Sequence, residues 1–261
     1  MQQMLKHALA GALLLSTIAF AQTGTPAALI AGKPNLNGIW QAVNTANWDL
    51  EEHPSRPGLV TALGAAAAEP GGISFVEGGT IPYLPEARAK REANFKNRLA
   101  LDPEIRCYLP GIPRATYQPH PFQIFQNEKA IFFAYEFAGA VRNIFLKDPG
   151  PAPADAWMGQ SAGHWEGRTL VIDVTGLDER TWFDRAGNYH SDALHVTERY
   201  TLRSPEVMDY QATIEDPKVF SRPWTIRMPL YRHVEKNARL AEFKCVEFVE
   251  DLMYGGFNQS K

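Results

Sequence analysis

The sequence predicts a mainly β protein: an antiparallel sheet closed into a barrel or a barrel-like sandwich, with a helical excursion near its amino terminus. Three observations predict it. Short runs of alternating apolar and polar residues recur between Asn35 and Cys245, separated by turn-forming residues. The clearest two, Thr169–Thr175 (TLVIDVT) and Leu194–Leu202 (LHVTERYTL), are rich in β-branched side chains, and the first is entered through Glu166-Gly167-Arg168. No repeat of fixed period runs through the chain.

The bulk properties set limits. With 261 residues, 45% hydrophobic and 21% charged, the composition is that of an ordinary globular protein. A net charge of −3 gives no electrostatic case for nucleic acid as a partner. Lys6 and His7 precede the apolar run Ala8–Phe20, which ends in Ala19-Phe20-Ala21. That order is a signal peptide over 1–21 with an A-x-A cleavage site. It implies a mature chain from Gln22, in the periplasm or outside the cell, and no cysteine follows the site to carry a lipid. No later run approaches the length of a transmembrane helix. Residues 22–34 read as a flexible leader and 35–261 as a single barrel-like domain that includes the irregular and helical excursion 44–121. In an oxidising compartment the two cysteines, Cys107 and Cys245, are most simply one disulfide, the alternative being two buried thiols. The oligomeric state has no signal.

Taken in order, Asn35–Val43 (NLNGIWQAV) reads as a first strand, in which Gly38 permits close backbone approach and Trp40 plugs one end of a core. Asn44–Pro85 is rich in Pro, Gly and Ala and reads as irregular. Leu84–Leu101 is helical in composition, with Pro85 suited to a first turn and its basic residues to a solvated face. Cys107–Pro121 holds four prolines and reads as an extended, rigid crossing. Phe122–Phe125, Ala130–Ala138 and Val141–Leu146 are strands, the last two joined around Gly139. Ala130–Ala138 is apolar on both faces, which predicts burial on both sides. After the connector Asp148–Ala156 come the two marker strands, then Val207–Glu215, Trp224–Met228 and Arg239–Cys245, and over Val246–Tyr254 a closing helix, the alternative being a last strand.

Several pieces resemble a large group of secreted bacterial proteins of uncharacterised activity. They are ALDPEIRCYLPGIPR (Ala100–Arg114), PFQIFQ (Pro121–Gln126), WMGQSAGHWEGRTLVIDVTG (Trp157–Gly176), TWFDRAGNYHSDALHVTERY (Thr181–Tyr200) and DPKVFSRPW (Asp216–Trp224). A cysteine before L-P-G and another near the carboxy terminus belong to the same pattern. The resemblance implies no reaction and no catalytic residues. A looser likeness to lipocalin-type barrels rests on Gly38-Ile39-Trp40 and the strand rhythm.

The stretch Trp157–Thr201 concentrates the chemistry, with three of the six tryptophans and three of the seven histidines. Strand alternation sends His195, Thr197 and Arg199 one way and Val196, Glu198 and Tyr200 the other. If the mixed faces line an interior, Asp173, His195 and Arg199 converge as an acid–base set; the alternative is that this face meets water. The loop Gly176–Ala193 adds Asp184 and His190. Ser191 lacks the G-x-S-x-G elbow of a nucleophile, and the histidine spacing does not support a metal site. Trp157, Trp165, Trp182 and Tyr135 are candidate ligand-binding aromatics. The expected function is acid–base catalysis on a small, largely apolar or aromatic molecule without an organic cofactor, as a lyase, isomerase or hydrolase. A lipocalin-like carrier of a similar ligand is the alternative, and an envelope interaction module a third.

Overall fold

The structure, a computed structural model, describes residues 29–58, 68–254 and 256. The segment expected to be a signal peptide and the start of the expected leader lie outside the described residues. The strands are β1 (Leu29–Ile30), β2 (Lys33–Pro34), β3 (Gly38–Gln41), β4 (Arg56–Pro57), β5 (Ala68–Glu69), β6 (Phe122–Gln126), β7 (Ile131–Tyr135), β8 (Val141–Phe145), β9 (Gln160–Glu166), β10 (Thr169–Thr175), β11 (His195–Ser204), β12 (Val207–Glu215) and β13 (Trp224–Arg232). The helices are α1 (Pro85–Lys96), α2 (Arg98–Leu101), α3 (Arg114–Tyr117) and α4 (Val249–Tyr254).

Nine strands close a barrel in the order β10-β11-β12-β13-β3-β6-β7-β8-β9, with β9 returning to β10. Every neighbouring pair is antiparallel except β8 and β9, which run parallel. The predicted fold class is therefore present. Period-2 alternation explains the strands: β12 and β13 bury every second residue, so that Met208, Tyr210, Ala212 and Ile214 meet Trp224, Ile226, Met228 and Leu230 inside. Trp40, Phe122, Phe133, Tyr200 and Tyr210 fill the axis and are essentially inaccessible. The barrel is a packed core, not an open cup.

Strand direction sorts the connections. Tight turns at 126–131, 166–169 and 204–207 close one end. The other end receives the long segments 42–121, 176–194 and 216–223. Because β8 and β9 are parallel, the connector 146–159 must cross from the turn end back to the loop end. The carboxy-terminal segment makes the same journey: the His233 amide donates to the Ile39 carbonyl (2.9 Å), and the Phe248 amide donates to Ile105 (2.8 Å). There Cys245 is bonded to Cys107, with the Cα atoms 5.5 Å apart.

Some expectations need correction. Residues 29–34 are not a flexible leader but the small hairpin β1–β2. Cys107–Pro121 is not extended throughout, since it winds into α3. The expected strand Arg239–Cys245 has no strand partner and is coil. β7 is buried on one face only: Ile131, Phe133 and Tyr135 point inward, while Phe132 is 36% exposed and stacks on Phe125 outside (4.5 Å). Two of the basic residues expected in water are tied down, Arg91 to Asn188 and Arg98 to Glu69.

Candidate active site

Strand β11 decides which face is inside. Val196, Glu198 and Tyr200 are fully buried, and His195, Thr197 and Arg199 lie on the outer surface. Glu198 forms an ion pair with Arg142 of β8 and accepts from Tyr200 Oη (2.9 Å) and Tyr210 Oη (2.8 Å). Arg142 Nε donates to Ser161 Oγ (2.7 Å). Burial pushes both tyrosines well above the ordinary phenol range, and the Glu198 carboxylate pushes the same way. The interior thus carries a sealed polar knot.

The structure brings His195 and Asp173 together, but on the outside. Asp173 Oδ1 lies 3.2 Å from His195 Nε2 and accepts from Thr197 Oγ1 (2.8 Å), with both acid and imidazole 39% exposed. Arg199 is not the third member, because its Nη2 donates to Glu166 (2.6 Å). The convergence inside the barrel expected for Asp173, His195 and Arg199 is therefore replaced by an open surface arrangement.

The two loop candidates separate. His190 is buried, its Nδ1 2.8 Å from the Ser191 carbonyl and its Nε2 2.7 Å from Thr181 Oγ1, and burial lowers its pKa. Asp184 is fully buried and accepts from the amides of Leu50 (2.9 Å) and Ala186 (3.0 Å) and from Asn188 Nδ2 (2.6 Å). Burial, reinforced by the Asp49 carboxylate, raises its pKa to about 7. His190 braces the loop internally, and Asp184 ties it to the excursion at Leu50.

The four aromatics do not share a pocket. Tyr135 is inside the barrel, and Trp182 packs in the core under the loop. Trp157 lies against Tyr108 (4.6 Å) beneath Arg180 (4.2 Å). Trp165 sits at the turn end near Lys33.

A concave site lies elsewhere, at the loop end of the barrel. A cavity of about 320 Å³ opens there between the excursion, the loop carrying Arg185 and the carboxy-terminal segment. Its floor is a paired charge network. Arg114, 1% exposed, donates two bonds to Asp102 (2.8 and 2.9 Å), one to Glu104 (2.5 Å) and one to Asn47 (2.9 Å). Arg185 lies over Trp48 (4.8 Å), with Nε 3.5 Å from Glu104 and Nη2 donating to Glu250 (3.4 Å). Burial alone would raise the Glu104 carboxyl; Arg185 and Arg114 outweigh it and hold it below its ordinary value. Phe137, Phe243, Phe248 and Ile105 supply apolar wall.

His120 stands on the lining of this cavity, and sequence reasoning missed it. With its proton on Nδ1, the imidazole donates to Glu136 Oε1 (3.3 Å), leaving Nε2 as the basic nitrogen. Glu136 is held by the Ala241 amide, which donates to Oε2 (2.7 Å). The ring is packed by Phe243 (4.6 Å) and Phe137 (5.7 Å) and its side chain is 26% exposed. Register makes the pair: Phe122 opposes Tyr135, so the residues just outside this rung, near Pro121 and at Glu136, are neighbours. The Glu136 amide donating to the Pro121 carbonyl (3.0 Å) extends the contact. Only that register, which no local motif carries, would have found it.

Comparison with protein-family models and with curated proteins finds no match for this chain.

Proposed function

We propose that the protein binds a small, largely apolar or aromatic molecule in the loop-end cavity and transforms it by acid–base chemistry, as a lyase, isomerase or hydrolase working without an organic cofactor. The observation that carries the reading is the Glu136–His120 pair at an apolar-walled cavity. A carboxylate that fixes one imidazole nitrogen leaves the other to take a proton from a bound molecule and return it. The cavity favours an uncharged ligand, because Arg98 and Arg185, the two arginines on its lining, are already committed to Glu69, Glu104 and Glu250. The disulfide and the amino-terminal apolar run support a periplasmic or secreted location.

The test is a panel of neutral aromatic esters, lactones and β-hydroxy ketones, followed by proton release and product analysis. The wild type should turn over at least one class, and His120→Gln should lose most of that rate, on the order of 100-fold or more for a general acid–base group. Equal rates in the two proteins would reject His120. Saturable binding with no turnover in the wild type would replace the enzyme by a carrier that holds its ligand at the mouth, since the barrel axis is filled.

A further inference from the structure

The carboxy-terminal segment does more than end the chain. After β13 its described residues form no further strand, yet residues 243–251 supply much of the cavity wall, including Phe243, Val246, Phe248 and Glu250. Its packing is shallow, with Val246 52%, Val249 40% and Leu252 72% exposed. Beyond its start at His233, the described attachments to the rest of the molecule are few. They are the Ala241 amide on Glu136, the Phe243 ring on Phe137 and His120, the Phe248 amide on Ile105, the Arg106 guanidinium over the Phe248 ring (5.9 Å), the Arg185–Glu250 pair, a long contact of Cys245 Sγ with the Glu104 carbonyl (4.0 Å) and one covalent bond, Cys107–Cys245. Both cysteine residues are partly exposed. One attachment touches the chemistry directly: Ala241 holds the oxygen of Glu136 opposite the one that faces His120.

We propose that Cys107–Cys245 is a reversible redox site that latches residues 236–254 as a strap over the cavity, so that reduction opens the cavity and loosens Glu136 behind His120. The co-reactant is a dithiol. Its thiolate attacks one sulfur of the bond and forms a mixed disulfide, and its second thiol displaces that sulfur as the free thiol. Two electrons and two protons pass to Cys107 and Cys245, and the dithiol leaves as a cyclic disulfide. The inference rests on the cavity being the functional site, but it is read out on the strap itself and needs no substrate.

Hydrogen exchange of the whole protein, oxidised and after native-state treatment with dithiothreitol, tests it. Amides of 236–254 should exchange at least tenfold faster after reduction, while those of β10–β13 keep their protection, and reoxidation should reverse the change. Cys245→Ser should exchange like the reduced protein without any reductant. Unchanged exchange in the strap overturns the proposal, as does loss of protection throughout the barrel, which would make the bond a structural staple. The His120 imidazole NMR signals, compared in both states at one pH, should shift on reduction, and unmoved signals overturn the link to Glu136. The acid–base reading fails on a different result, full turnover by His120→Gln in the oxidised protein.

Discussion

At the level of single residues, the alternation of β11 was legible and its direction was not. LHVTERYTL separates His195, Thr197 and Arg199 from Val196, Glu198 and Tyr200 on period alone. Which set is inside depends on a partner outside the strand: Arg142, 56 positions earlier, which neutralises Glu198 in the core. Without it, burying a glutamate and exposing a histidine is the less expected of two choices. The structure turns this into a measurable contrast. Glu198→Ala leaves Arg142 buried and unpaired and should cost about 3–5 kcal/mol in urea unfolding. His195→Ala removes a half-exposed pair and should cost under about 1 kcal/mol. Comparable losses would mean that the faces are assigned wrongly. Asp184 gives a second prediction. Its folded pKa of about 7 lies above the unfolded 3.8, so the folded state holds a proton between those values that the unfolded state has lost. Its contribution to stability is full below about pH 4 and is lost as the pH rises towards 7. Thermal midpoints measured between pH 5 and 8 should therefore fall with pH more steeply in the wild type than in Asp184→Asn. Identical slopes would show that Asp184 does not titrate there.

At the level of elements, the strands that were read correctly are those whose own side chains alternate, such as β10, β12 and β13. β9 was missed, because QSAGHWE has small residues where a strand usually carries bulk. Its neighbours impose the strand: it pairs with β10 over seven residues and with β8 on its other edge. Smallness is what the site requires, since a Cβ on Gly163 would collide with the Ile144 side chain of β8. Gly163→Val raises local β propensity and should still destabilise, by about 1–3 kcal/mol, because overpacking outweighs propensity inside a closed barrel. A thermal midpoint equal to or above wild type would contradict that reading. The opposite error, Arg239–Cys245, has a strand-like composition, but the barrel offers it no vacant edge to pair with, because the barrel is closed. Alternation proposes a strand, and pairing decides it.

At the level of the whole molecule, the barrel was legible in the rhythm of the strands, while the candidate site was not. His120 and Glu136 are joined by strand register, and the cavity is walled by a segment that returns across the barrel from its opposite end. The cross-link that secures this return lends itself to a thermodynamic test. Cys107 and Cys245 are 138 residues apart, so in the chain-entropy model the bond restricts the unfolded chain by about 4–5 kcal/mol. That full amount is lost in Cys107→Ser only if the strap stays docked when the bond is absent. If the strap detaches, the folded state also gains freedom, and it detaches only because doing so lowers its free energy. The measured loss must then be smaller than the closure value. A strap held mainly by its disulfide therefore predicts that Cys107→Ser destabilises by about 1–3 kcal/mol, short of the full closure figure of ~4–5 kcal/mol, with a lowered thermal midpoint and an intact barrel spectrum. A loss at the full closure value, with strap amides still protected, would show that noncovalent contacts hold the segment on their own and that the bond acts only on the unfolded chain.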